Sequence, residues 1–117
     1  MSPQKSHIAI LLDGPIANDG RVRRIIPSLG SLYKIDLYYF NGSETDSLLF
    51  TDNVNLFNHC FEGNWLIRNL FFEKKFNAIE KNFQLTKKRY HIIYCNDYPL
   101  LDLSVRLKKN HAKYLIY

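Results

Sequence analysis

The stretch HIAILLDGPIANDGRVRRII, from His7 to Ile26, decides the fold prediction. It opens with a continuous apolar run, His7–Leu12, that is typical of a strand covered on both faces. A loop with two glycines, a proline and two acids follows, and Asn18 or Asp19 is placed to cap the next helix. The apolar residues of that helix recur at helical spacing: Val22, Ile25, Ile26 and Leu29. The stretch therefore predicts a strand, a loop and a helix in direct succession.

The same alternation continues along the chain. Apolar runs predict strands over residues 34–40, 53–58, 91–96 and 113–117, with 53–58 nearer an edge of the sheet. Helical spacing predicts helices over 64–85 and 98–110. Asn64 is the expected cap of the first of these, and the expected inward residues are Leu66, Leu70, Phe76, Ile79, Phe83, Leu100, Leu103 and Leu107. Pro27 predicts a bend or an early end in the helix that follows the first loop, with Gly30 as its stop.

Strands that alternate with helices predict an α/β fold, because right-handed crossovers place helices on both faces of a parallel sheet. We expect one Rossmann-like, three-layer domain over residues 1–117, with a mostly parallel sheet of about five strands in the order 3-2-1-4-5. The chain stops inside its last predicted strand, so we expect it to be a fragment of a longer protein. Residues 42–52 have no clear pattern and no conformation is predicted for them.

Composition limits the possible functions. Sixteen Lys and Arg against eleven Asp and Glu give a net charge of +5, which is compatible with nucleic acid, anionic lipid or a phosphorylated ligand. The densest basic cluster, Thr86–His91, is either a solvated turn or a contact to phosphate or lipid. The clustered basic and aromatic surface that nucleic-acid binding needs is missing, so we expect no nucleic-acid partner.

The cysteines and the N-terminal residues indicate the compartment. Cys60 and Cys95 form neither a disulfide framework nor a Cys/His cluster with metal-site spacing, so no metal is expected. The first six residues do not resemble a secretory signal, and no apolar run approaches the roughly 20 residues that span a bilayer. A cytoplasmic protein is expected.

A ligand site is predicted where the strand order reverses. In an open α/β sheet the binding crevice lies beyond the carboxyl ends of the strands, here between the first and fourth strands. The loop Asp13–Asp19 leaves one of them and Asn96-Asp97-Tyr98 the other. Gly14 and Gly20 would let backbone amides approach an oxyanion beside the helix start. The residues expected to bind substrate or phosphate are Gly14, Asn18, Gly20, Arg21, Asn96 and Asp97.

Two alternatives stay open at this site. Arg21 can offer a bidentate donor to a phosphate, but Asp13 and Asp19 repel anions and would suit a purely structural turn. Asp97 can bind a sugar hydroxyl or act as a base, or it can cap the next helix. It is the one candidate catalytic residue. The loop lacks the central glycine of a dinucleotide-binding motif and the Lys-Ser/Thr of a P-loop, and no Ser/His/Asp or Cys/His arrangement is present.

Residues at both ends of the chain resemble a known family. The segment from His7 to Phe40, with Asp19-Gly20-Arg21-Val22, is similar to the start of retaining glycosyltransferases with the GT-B fold, family 4. Those enzymes begin with a strand, a loop, Asp-x-Arg-Val and an amphipathic helix. The segment from Tyr90 to Tyr117 is similar to their later stretch, in which a strand ends in a polar pair with an acid.

The resemblance implies the N-terminal, acceptor-side domain of a two-domain enzyme that transfers a sugar from a nucleotide-sugar donor with retention, without a further cofactor. By position, Gly14–Arg21 would border the donor diphosphate or an acceptor phosphate, and Asn96 and Asp97 would line the acceptor side. The C-terminal domain would supply most donor contacts, so this chain alone is expected to be inactive. A non-catalytic α/β ligand-binding or self-association module is the alternative.

The family also suggests contact with a membrane. Relatives that act on lipid-linked acceptors often touch the membrane through this domain. Asn64–Phe76 fits such a peripheral contact, because its aromatic residues lie beside basic ones in the sequence. Packing of these aromatic residues in the core is the alternative.

Overall fold

A computed structural model describes residues 6–16, 19–50, 53–59, 72–97 and 100–117, and for 72–76 the backbone alone. Every strand expected from the sequence is present, with each end displaced by at most one residue. In chain order the elements are β1 (Ser6–Leu11), α1 (Gly20–Gly30), β2 (Tyr33–Phe40), a 3-10 helix (Glu44–Leu49), β3 (Val54–His59), α2 (Phe72–Thr86), β4 (Tyr90–Cys95), α3 (Leu101–His111) and β5 (Ala112–Ile116).

The five strands form one parallel sheet in the order β3-β2-β1-β4-β5, which confirms the predicted Rossmann-like topology. β1 lies at the centre: Ile8 pairs with Ile35 of β2 on one side and with Ile92 of β4 on the other. Its residues Ile8–Leu11 are buried, as a strand covered on both faces requires. The strand order therefore reverses between β1 and β4.

Two hydrophobic cores lie on opposite faces of the sheet and make the domain three-layered. Ile8 and Ile10 of β1 face the first core, which contains Val22 and Ile26 of α1. The alternate residues of β1 face the second core, which is built with α2 and α3. Its members from the two helices are Ile79, Phe83, Leu103 and Leu107, all among the inward residues predicted from the sequence.

Of the two effects predicted for Pro27, a bend or an early end of α1, the structure rules out the early end, and it confirms the stop at Gly30. The helix continues through Pro27 to Gly30, and Ser31 caps it. Pro27 lies on the exposed side of α1. Proline has no N–H, so one backbone carbonyl in the preceding turn lacks its helical donor, and on this exposed side water can donate to that carbonyl instead.

Several predicted features fall outside the described part of the chain. They are the Asn64 cap, Leu66, Leu70, the Phe76 side chain, Cys60, Tyr98 and the aromatic and basic side chains of 64–76 that suggested membrane contact. The described part of the second predicted helix begins at Phe72, and α3 begins at Leu101. Within residues 42–52, Glu44–Leu49 form the 3-10 helix, which a capping box between Ser43 and Asp46 starts.

Candidate functional site

The two polar segments predicted to converge do meet at the carboxyl ends of β1 and β4. The backbone N–H of Asn96 donates to the carbonyl of Leu11 at 3.1 Å. The backbone N–H of Asp13 donates to Oδ2 of Asp97 at 2.7 Å, across 84 residues of sequence. We call this edge, formed by Asp13, Gly14, Asp19–Arg21, Asn96 and Asp97, the β1/β4 rim.

Asp19 holds the rim together from the start of α1. Its Oδ1 accepts hydrogen bonds from the backbone N–H groups of Arg21 at 3.0 Å and Val22 at 3.1 Å, so it is the helix cap. Its Oδ2 accepts from Nδ2 of Asn96 at 2.8 Å. One carboxylate thus fixes α1 to the end of β4. Asn18, the other candidate cap, lies outside the described residues.

Asp97 points to the loop after β1 and does not cap α3. The N-cap of α3 is Leu100, which has no side-chain capping bond, and its N–H donates to the backbone carbonyl of Asp97. The prediction that the Asp97 side chain caps the next helix is therefore wrong, because that helix begins several residues later. Instead the carboxylate bridges the rim to Asp13.

The pKa of Asp97 is raised above its ordinary value of 3.8. Burial is the main cause, and the neighbouring carboxylates of Asp19 and Asp13 add to it. The N–H of Asp13 and the charge of Arg21 act in the opposite direction. Asp97 is therefore a more basic carboxylate than a free aspartate, and crowding by acids is part of the reason.

Three backbone N–H groups of the loop and the helix start are bound by the protein's own acids. Asp97 binds the N–H of Asp13, and Asp19 binds the N–H groups of Arg21 and Val22. A phosphate would have to displace a carboxylate to reach these donors. Two alternatives were left open for this loop, an anion site and a structural turn, and the hydrogen bonds of Asp19 and Asp97 to backbone N–H groups favour the structural turn in this conformation.

Arg21 is the cation that remains at the rim. Its side chain is 64% exposed, and Nη2 lies 3.8 Å from Oδ2 of Asp19, beyond hydrogen-bond distance. The guanidinium can therefore turn towards a bound anion without breaking a strong contact. It is the donor best suited to bind a phosphate group here.

The two glycines of the loop have different roles. Gly14 has a φ of +138°, a conformation that side chains oppose, and its carbonyl accepts from the N–H of Phe40 at 3.2 Å. Gly20 is the first residue of α1, and a Cβ there would meet nothing within 4 Å. Only Gly14 is required by the backbone, while Gly20 leaves open space at the helix start.

A second polar cluster at the opposite, amino-terminal end of the strands was not predicted. Asp36 of β2 is fully buried and accepts from Lys88 Nζ at 2.8 Å, Tyr90 OH at 2.6 Å and Asn55 Nδ2 at 3.0 Å. His7 Nε2 lies 3.1 Å from its Oδ1, but not in hydrogen-bond direction. An acid in the middle of the apolar run KIDLYYF is the one feature of the sequence that pointed to this cluster.

We expect Asp97→Asn to fold normally and to be at least as stable as the unmodified protein at pH 7. The amide oxygen can still accept from the N–H of Asp13, while repulsion by Asp13 and Asp19 is removed. Because the folded-state pKa of Asp97 is raised, ionisation disfavours the fold, and this cost appears as the pH rises through that pKa. Thermal melts at pH 3 and pH 7 measure it.

Asp97→Ala is the matched control, since it leaves the N–H of Asp13 without its acceptor. Its expected loss is about 1–3 kcal/mol in the free energy of unfolding. Equal destabilisation by both substitutions at pH 7 would contradict the electrostatic account of Asp97.

Within the residues that the structure describes, no group of three His, Cys, Asp or Glu side chains is arranged to hold a metal ion. None of the described helices has the length and apolar character to cross a membrane. Comparisons of the chain with protein-family models, with curated proteins and with solved structures give no significant match. What the site does is therefore inferred from its geometry and from the sequence pattern.

Proposed function

We propose that this chain is the acceptor-side domain of a retaining glycosyltransferase. The observation that carries the proposal is the meeting of Asp13, Asp19, Asn96 and Asp97 at the β1/β4 rim, where the strand order reverses. An α/β sheet binds its ligands at such a point. The similarity of Asp19-Gly20-Arg21-Val22 and its flanking elements to family 4 enzymes supports the same assignment.

The rim suits a carbohydrate acceptor. Sugar hydroxyls donate hydrogen bonds to carboxylates and accept them from amide groups such as that of Asn96. Asp97 uses Oδ2 for the N–H of Asp13, which leaves Oδ1 for a substrate hydroxyl. Its raised pKa makes it a better proton acceptor than an ordinary aspartate. In this proposal Asp97 orients the acceptor hydroxyl and is the candidate catalytic residue.

Arg21 would serve the donor side. As the bond between sugar and diphosphate breaks, negative charge grows on the leaving group, and a nearby guanidinium stabilises that charge most in the transition state. A second α/β domain would supply the remaining donor contacts, and the described chain alone would be inactive. The reaction would take place in the cytoplasm, at the inner face of a membrane if the acceptor is lipid-linked.

Titration of the isotope-labelled chain with uridine and guanosine diphosphate, followed by backbone amide shifts, tests the donor side. We expect shifts confined to residues 13–24 and 96–98 at millimolar ligand. Arg21→Gln should weaken binding about tenfold, since a hydrogen bond to a charged group contributes about 1.5–3 kcal/mol. Arg106→Gln is the matched control, because Arg106 is also exposed and lies 3.6 Å from one carboxylate, that of Glu80.

Absence of any shift at the rim, with either nucleotide and with a panel of simple sugars, would overturn the proposal. Equal weakening by Arg21→Gln and Arg106→Gln would assign the effect to net charge instead.

One observation favours a self-association module as a second candidate. β5 lies at an edge of the sheet, and Tyr114 and Ile116 are 49% and 45% exposed there. An exposed apolar edge strand can pair with a second copy of itself. Sedimentation analysis would show a concentration-dependent dimer that Ile116→Lys abolishes, whereas a monomer at all concentrations would exclude this candidate.

A further inference from the structure

We propose a second anion site at the amino-terminal end of β4 and β5, which binds a compact polyanion such as a diphosphate group. It surrounds a cavity of about 310 Å³, at the lower end of the range for small-ligand pockets. The polar side chains that line the cavity are Arg89, Lys109, Asn110, His111 and Lys113. We call this cavity the basic pocket.

The pocket joins two basic segments that are far apart in the sequence. Tyr90 pairs with Ala112 in the parallel register of β4 and β5. This pairing brings Arg89, which precedes β4, next to the end of α3 and the start of β5. The sequence left two roles open for the cluster Thr86–His91, a solvated turn or a contact to phosphate or lipid. In the fold, Arg89 of this cluster lies beside Lys109 and Lys113.

A helix C-terminus alone does not account for this charge. Cations in the last turn of α3, such as Lys109, are favoured by the helix dipole. Arg89 and Lys113 lie outside that helix, and the dipole gives no reason to gather them at the same cavity. Like charges repel when they are placed together, so an anionic occupant explains the arrangement better.

The cations of the pocket are available to a ligand. In the part of the chain that the structure describes, no carboxylate pairs with Arg89, Lys109 or Lys113, and all three are exposed. Lys88 is different, because its Nζ is bound to the buried Asp36. A guanidinium with two ammonium groups offers both a bidentate donor and point charges to phosphate oxygens.

The base of the pocket is held in place by the core. Tyr90 is buried, and its hydroxyl donates to Asp36. The Nδ1–H of His111 donates to the carbonyl of Lys88 at 3.2 Å, and its ring packs on Phe83. These contacts fix the end of α3 against the residues before β4. A fixed cavity loses less entropy on binding than a set of free surface lysines.

The basic pocket and the β1/β4 rim lie at opposite ends of the parallel strands, so each can be tested alone. Inorganic pyrophosphate is the probe, in low salt, with calorimetry for affinity and amide shifts for location. We expect a dissociation constant below 1 mM, and 1 mM corresponds to a standard binding free energy of about −4.1 kcal/mol. The shifts should centre on residues 88–91 and 108–114, whereas shifts at 13–24 would report the rim.

The decisive variant is the triple Arg89→Gln, Lys109→Gln and Lys113→Gln, which should bind pyrophosphate at least tenfold more weakly. Its melting temperature should stay close to that of the unmodified protein, because the relief of mutual repulsion offsets the lost interaction of Lys109 with the helix dipole. The matched control removes three exposed cations from α1 and α2 through Arg23→Gln, Arg24→Gln and Lys81→Gln, and should retain affinity within about twofold.

Three results would overturn the proposal. One is no binding at 10 mM pyrophosphate, and another is an equal loss of affinity in both triple variants. The third is that a single-stranded oligonucleotide or anionic vesicles bind while pyrophosphate does not. That result would mean that the cations form a flat surface for polyanions and not a pocket.

Discussion

Replacing Phe83 with alanine is expected to lower the free energy of unfolding by about 3–5 kcal/mol. The side chain is fully buried, and its ring centre lies 4.8 Å from that of Tyr38 and 5.2 Å from that of Tyr90. The substitution removes this contact surface and leaves a cavity between α2 and the sheet. A domain of this size is stable by only about 5–15 kcal/mol, so the loss is a large part of the total.

Urea unfolding followed by circular dichroism measures this effect. Leu85→Ala is the matched control on the same helix, because Leu85 is 74% exposed and its removal should change stability by less than about 0.5 kcal/mol. A similar loss for both variants would show that helix propensity, and not core packing, accounts for the effect of Phe83.

The arrangement of the strands could be predicted because each apolar run has one plausible secondary structure. His7–Leu12 is too short for a buried helix and rich enough in isoleucine for a central strand, and it became β1. Phe83 was identified as inward by helical spacing alone. The crossover rule gave the parallel sheet with helices on both faces, and the order 3-2-1-4-5 was expected as that of a Rossmann-like sheet.

The location of the candidate site was predictable for the same reason, but its hydrogen bonds were not. Topology alone places Asp13 and Asp97 at one edge of the sheet. Which carboxylate takes which N–H depends on distances of less than an ångström, and the sequence does not encode these in any local pattern. The sequence therefore left open whether the amides of the loop bind an anion or belong to a structural turn, and the structure shows Asp19 and Asp97 bound to three backbone N–H groups.

The Asp36 cluster is the clearest case of structure that local patterns do not reveal. Its partners come from β3, from the start of β4 and from Lys88. Because β1 lies between β2 and β4, they meet only through the register of four strands. Burial alone would raise the pKa of Asp36, but the hydrogen bonds of Lys88, Tyr90 and Asn55 outweigh it and hold that pKa below 3.8. The carboxylate therefore stays ionised inside the domain.

Asp36→Ala is expected to cost about 2–4 kcal/mol in the free energy of unfolding at pH 7. Removing one member of a buried, paired set costs about 3–5 kcal/mol when the remaining charge stays buried. Lys88 is 28% exposed and regains water, which reduces the loss. The hydroxyl of Tyr90 loses Asp36 as its acceptor but still forms a hydrogen bond with the hydroxyl of Tyr38, 2.8 Å away.

The pH dependence separates this charge effect from a simple packing defect. Because the pKa of Asp36 is lower in the folded state than in the unfolded chain, its stabilisation is complete well above pH 4 and is lost as the pH falls through the folded-state value. The difference in melting temperature between the unmodified protein and Asp36→Ala should therefore shrink between pH 5 and pH 2.

Asp102→Ala, at an exposed position in the first turn of α3, is the control. Its free energy of unfolding should differ from that of the unmodified protein by less than about 1 kcal/mol. A difference for Asp36→Ala that stays constant down to pH 2 would mean that the carboxylate acts through its volume, and that the hydrogen bonds of Lys88 and Tyr90 contribute little.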